Sequence, residues 1–188
     1  MTSNNGKIDN RSKDFIFVPF CLLSQAFQAQ GLVKYEWRGT LRPIMEELIK
    51  KDVNIIQMPC PETLFFGIKD GLKRKSLGIK YYDTPEFRKH CLSLAEGVVK
   101  MIEDIIQAGY RVIGILGIEY SPACAVELQY TPRGTIHKRG IFINELRKLL
   151  EEKDIAIPFV GVNRRGIKKS IEKIRELFQD RTKQSTLF

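Results

Sequence analysis

The sequence predicts an α/β protein: a three-layer α/β/α sandwich around a mainly parallel, Rossmann-like sheet of four or more strands. Three observations predict it. Four apolar runs of strand length are spaced along the chain, helical periods fill the gaps between them, and the 188 residues suit one domain with a full core. Strands that alternate with helices need crossover connections, which make the sheet parallel and cover both of its faces. The runs are nearly continuous rather than alternating, as strands buried on both sides are.

The first run is Phe15 to Phe20 (FIFVPF) and the second Val53 to Met58 (VNIIQM). Between them, Leu41, Ile44, Met45, Leu48 and Ile49 form one stripe of a helix over 41–51. A second helix opens at Asp83-Thr84-Pro85-Glu86, where an acid follows the Asp by three residues and a proline fills the first turn. It repeats Phe87, Cys91, Leu94, Val98, Met101, Ile102 and Ile105 until Gly109 stops it. The third run is Arg111 to Leu116 (RVIGIL), followed by a helix over about 140–153. The fourth is Ile155 to Val160 (IAIPFV), followed by a helix over about 167–178 with Ile167, Ile171, Ile174 and Leu177 on its stripe. A single domain over 14–178 is expected, with loose polar tails at 1–13 and 179–188.

Composition excludes several classes. Hydrophobic residues at 43% and charged residues at 28% are a globular balance, and no apolar run reaches the ~20 residues of a membrane helix. The opening MTSNNGKIDNRSKD carries no signal-type apolar stretch, so a reducing cytoplasm is expected and the four cysteines are not read as a disulfide framework. The net charge of +9 raises nucleic acid as a partner. Its two clusters are Lys69, Lys73, Arg74, Lys75 and Lys80, and Arg164, Arg165, Lys168, Lys169, Lys173 and Arg175; the second has acids interspersed on a helical pattern and reads first as a solvated face. Gly109, Gly114 and Gly117 lie in and around a strand, not in a strand-to-helix turn, and make no dinucleotide fingerprint.

Three cysteines occupy equivalent places. Cys21 directly follows the first strand, Cys60 follows the second, and Cys124 lies shortly past the third in GIEYSPAC. Loops at the carboxyl ends of parallel strands face one crevice, so the three thiols are expected to converge there. Cys91, on the apolar stripe of the long helix, is expected to act as a small hydrophobe. A structural zinc site closes with four ligands, and neither His90, beside the helical stripe, nor His137, in a basic turn, offers an evident fourth. Three thiolates without a fourth partner suit a [4Fe-4S] cluster with one iron left open.

CLLS at Cys21, MPCPE at Cys60 and YSPAC at Cys124 resemble the three motifs of a bacterial and archaeal family, long catalogued as a domain of unknown function, that includes the thiouracil desulfidases. The resemblance spans roughly residues 15 to 127. It implies a [4Fe-4S] cluster held by Cys21, Cys60 and Cys124, whose fourth iron takes sulfur from a thiolated small molecule. Ser24 and Ala125 stand where that family usually has glycine, and LFFG follows CPE in place of a leucine and paired glycines, so the chain resembles a divergent branch.

On that footing Glu62 is the expected proton donor or base and Ser121 a hydrogen-bonding partner of substrate or cluster, with water attacking a carbon polarised by the open iron. The bland alternatives are that Glu62 caps the next helix and Ser121 starts the Ser121-Pro122 turn. Glu119 is a weaker candidate. Tyr35 or Trp37, in VKYEWRGTLRP, is expected to lie over the crevice or to pack as an ordinary loop aromatic. Rival functions are a cluster-dependent lyase or dehydratase, an RNA-binding protein with structural cysteines, and a metal-free enzyme with Cys60 or Cys124 as nucleophile.

Overall fold

The computed structural model describes residues 9–179. The parts of the expected tails at 1–8 and 180–188 lie outside the described residues.

Four parallel strands form the central sheet: β1 (Asp14–Pro19), β2 (Asn54–Met58), β3 (Arg111–Ile118) and β6 (Phe159–Val162), in the spatial order β2-β1-β3-β6. The chain leaves β1 for β2 on one side, then crosses back to place β3 on the other. Adjacent carboxyl ends whose connections diverge this way leave a crevice between β1 and β3.

Side-chain alternation along the strands builds two cores. Ile16, Val18, Leu116, Ile118, Val160 and Val162 face one layer, formed by α2 (Arg42–Ile49) and α8 (Ile167–Gln179). Phe17, Met58 and Ile115 face the other, formed by α6 (Pro85–Gln107) and α7 (Ile141–Glu152). The expected three-layer α/β/α sandwich is therefore the observed architecture. Among the described residues, no helix is long and apolar enough to cross a membrane.

Several boundaries move for physical reasons. The cap of α6 is Thr84, whose hydroxyl accepts from the Phe87 N–H at 3.2 Å, one residue beyond the expected Asp83. Past the end of that helix, Gly109 takes a left-handed φ of +80°, which a side chain would strain. On α2, Ile44, Met45 and Leu48 are buried but Ile49, assigned to the same stripe, is exposed. The fourth strand pairs Phe159–Val162 with Ile115–Ile118, so the run Ile155 to Val160 contributes only its end; Ile155 and Ile157 pack on the α6 and α7 core from irregular chain instead.

Short elements stand between the large ones: α1 (Phe20–Leu23), α3 (Pro61–Phe65), α4 (Ile68–Gly71), α5 (Ile79–Tyr82) and an antiparallel hairpin of β4 (Leu128–Thr131) and β5 (Gly134–His137). The sequence pattern did not announce them, because four or five residues are too few to display a period. The hairpin matters to the site.

Candidate metal centre and its acid

Cys21 sits in α1 just past β1, Cys60 precedes α3 just past β2, and Cys124 closes the loop after β3. All three line one cavity of about 320 Å³. Glu62, Ser121, Glu119 and Trp37 line it too, whereas Tyr35 is 79% exposed and faces elsewhere. Cys91, fully buried on α6 in the core, is not among the lining residues.

The loop that carries Cys124 is fixed by its backbone. Its carbonyl accepts from the Ile118 N–H at 2.9 Å, and its own N–H donates to Ser121 Oγ at 2.9 Å. A Cβ at Gly117 would meet the Cys124 carbonyl oxygen at 2.3 Å, so only glycine lets the end of β3 lie so close to the loop. The hairpin clamps the other side. Glu119 Oε2 accepts from the N–H groups of Glu127 and Leu128 at 3.2 and 2.9 Å, and Gln129 Nε2 donates to the Ser121 carbonyl at 2.7 Å. Tyr120 holds a left-handed φ of 68° and stacks on Tyr130 at 4.0 Å. Glu119 is thus engaged in holding backbone, and the hairpin serves as the frame of the third cysteine.

Glu62 is 8% exposed in the first turn of α3, and its side chain makes no capping hydrogen bond to that helix. Oε1 accepts from the Ser121 hydroxyl at 2.8 Å and Oε2 from Arg74 Nε at 3.3 Å. Ser121 therefore turns the loop, as one of its two expected roles required, and its hydroxyl also bonds the acid, a contact that neither expected role included. Arg74, which the sequence places in a basic cluster, is 9% exposed and lines the cavity. Nothing in the sequence separates it from Lys73 and Lys75, since all three read as surface cations.

Burial pushes the Cys21 thiol up to about 12, with the nearby Cys60 adding to the shift and Arg164 opposing it. The Cys60 and Cys124 thiols are raised as well, chiefly by burial and then by Glu62 and by the other cysteines respectively. No histidine is among the cavity's lining residues: His90 Nε2 bonds the Pro61 carbonyl at 3.2 Å and His137 lies exposed on β5. A metal-free nucleophile would here lack both a depressed thiol and an imidazole base.

Among the described residues, no group of three or more His, Cys, Asp or Glu gathers as ligands of one metal ion. A cubane differs in kind, because each thiolate binds a different iron. The donor set fits that demand. Three free thiols share a cavity, and the side-chain amide nitrogen of the buried Gln28, which also lines it, has no hydrogen-bond partner among the described residues. A sulfur-rich group would take protons' place on the thiols and offer acceptors to such a donor.

The chain is 31% identical over 147 residues to the uncharacterized protein MJ0003 of Methanocaldococcus jannaschii, an alignment that covers 78% of this chain and 84% of that protein. This chain belongs to the MJ0003 family. No family model matches it. Among solved structures, the [4Fe-4S]-dependent thiouracil desulfidase TudS is similar over 79% of this chain and 90% of its own, with a TM-score of 0.46 and 17% identity. In this member of the MJ0003 family, the residues that converge on the cavity come from positions 21 to 165.

Proposed function

We propose that this member of the MJ0003 family is an iron-sulfur-dependent desulfidase, in which Cys21, Cys60 and Cys124 hold a [4Fe-4S] cluster and the surrounding side chains serve the hydrolytic removal of sulfur from a thiolated small molecule. The observation that carries the reading is the meeting of three free thiols, from three different strand ends, in one cavity beside a buried acid. The resemblance of the three cysteine motifs to the desulfidase family supports the same ligand set.

When bound, the cluster supplies an iron without a protein ligand, a Lewis acid with an affinity for sulfur. The rest falls to the chain's own residues. Overall, the thiocarbonyl is exchanged for a carbonyl and hydrogen sulfide is released, which consumes water and needs no electron donor. Glu62, fixed by Ser121 and Arg74, takes a proton from water or returns one to a ring nitrogen. Phe27 and Trp37 contribute apolar surface to the cavity lining.

The test is anaerobic purification and reconstitution, followed by iron and acid-labile sulfide analysis and release of sulfide from 2-thiouracil and related thiolated heterocycles. About four irons per chain are expected, lost in Cys21→Ala, Cys60→Ala and Cys124→Ala and kept in Cys91→Ala. A folded wild type that holds no iron, or a loaded one that releases no sulfide, overturns the reading.

A further inference from the structure

Among the lysines and arginines of the described residues, Arg74 is the one that is buried, and it lines the site. Its guanidinium donates through Nε to Glu62 Oε2 at 3.3 Å, and through Nη1 to Thr63 Oγ1 at 2.8 Å and the Gly71 carbonyl at 3.0 Å. Through Nη2 it donates to the Phe27 carbonyl at 2.6 Å and comes within 4.0 Å of Cys60 Sγ. The Cys60 thiol in turn donates to Thr63 Oγ1 at 3.3 Å and stands 4.0 Å from the same Phe27 carbonyl. All three guanidinium nitrogens are thus committed, and every one reaches either the acid, the cysteine or a group that itself touches the cysteine.

We propose that Arg74 is a positioning residue of the site, holding the Glu62 carboxylate and the Cys60 sulfur at a fixed separation through one rigid guanidinium. For catalysis this rests on the desulfidase reading; for the geometry of the cavity it stands without it. The argument is geometric. A planar fork that donates in several directions at once fixes the mutual placement of its acceptors, which a single ammonium cannot do. Neighbouring backbone reinforces the arrangement, since the Arg74 carbonyl accepts from the Gln30 N–H at 3.0 Å and so ties the residue to the chain that follows Phe27. Arg74 lies outside hydrogen-bond reach of Ser121, so it acts on the acid from the side opposite to that hydroxyl. The two donors together occupy one lone pair on each carboxylate oxygen and leave the others for a ligand.

The experiment uses Arg74→Ala and Arg74→Lys in the full chain, each checked for a cooperative thermal transition, with two readouts. In the reconstituted protein, sulfide release from 2-thiouracil is expected to lose about a hundredfold in kcat with little change in KM. The loss in the double variant Glu62→Gln, Arg74→Ala is expected to equal that of Glu62→Gln alone, because Arg74 works through Glu62. Millimolar guanidinium restores part of the activity of Arg74→Ala and none of that of Glu62→Gln. In the metal-free protein, alkylation of Cys60 by iodoacetamide, followed by mass spectrometry, is expected to quicken at least tenfold in Arg74→Ala, because removing the guanidinium opens a path to the buried sulfur, a gain in access that outweighs the lost cation beside the thiolate; it slows again with guanidinium, while Cys91 keeps its rate. Additive losses, or a Cys60 rate that ignores the substitution, overturn the proposal. Faster, guanidinium-sensitive alkylation of Cys60 in a protein that never loads iron leaves the positioning role standing and removes the desulfidase reading instead. Should Arg74→Ala fail to fold, Arg74→Lys, which keeps the charge and most of the stem but not the planar fork, carries the kcat and double-variant comparisons, with the same outcomes expected and the same additive loss overturning the proposal.

Discussion

At the scale of single residues, chemistry and packing separate cleanly among the four cysteines. Cys91 and Cys124 are both buried in the core that α6 and α7 share, but Cys124 also lines the cavity and Cys91 does not. Cys91→Ala is expected to cost about 1 kcal/mol of stability, as a small loss of buried volume does, and to leave iron content unchanged. Cys124→Ala is expected to abolish iron binding, as measured by metal analysis beside denaturant unfolding. Glu62→Gln keeps the shape of the side chain and removes its charge, and about a hundredfold loss of sulfide release, with iron retained, is the expected result in a steady-state assay. These residues were legible in very different degrees. The three thiols were visible because each follows an apolar run, and Glu62 because it neighbours one of them. Arg74 was not, since its contacts with Glu62 and Phe27 cross 12 and 47 positions and its sequence neighbours are lysines. Gln28 carried no signal at all.

At the scale of elements, the parts that bury whole faces were legible and the parts that hold the site were not. The four strands and α2, α6, α7 and α8 follow from periodicity, because a helix or strand must turn one stripe or face inward to be stable. The β4–β5 hairpin could not be found that way. Its second strand is exposed throughout, and its value lies in the N–H groups of Glu127 and Leu128 that donate to Glu119 and in Gln129, which donates to the Ser121 carbonyl. The close approach of β3 to that loop makes a sharp prediction at Gly117. A methyl group there would lie 2.3 Å from the Cys124 carbonyl oxygen, a backbone atom that cannot rotate away. Gly117→Ala should therefore cost about 1–3 kcal/mol in denaturant unfolding and reduce iron loading, since the loop must shift to admit the methyl. Gly97→Ala is the comparison, because a Cβ on that face of α6 meets nothing within 4 Å and alanine favours a helix interior.

At the scale of the whole molecule, the excess of positive charge is partly internal architecture. Of the cations in the two basic clusters, Arg74 is enclosed by the site and Arg175 joins the two helices on one side of the sheet, α8 to α2, by donating from Nε and Nη2 to the two oxygens of Glu47, each at 2.9 Å. Glu47 is 7% exposed, and its hydrogen bonds to Arg175 hold its carboxyl below the ordinary value of 4.5 despite burial. Because the folded protein binds that proton less readily than the unfolded chain, the pair stabilises the fold above pH 4.5. The contribution fades as pH falls through that value towards the lower folded one, since the unfolded chain takes up the proton first. Glu47→Gln should thus melt earlier than wild type at pH 7, by a difference equivalent to about 1–2 kcal/mol for two charge-assisted bonds with a half-exposed partner. The gap between the two proteins should narrow steadily below pH 4.5, as read from thermal unfolding in a series of buffers. High salt should shrink it only a little, because Glu47 is buried and screening acts mainly on exposed charges. A gap that stayed constant down to pH 2 would mean that Glu47 contributes through its packing rather than its charge, and the docking of α8 on α2 would then rest on Ile44, Leu48, Ile174 and Phe178 alone.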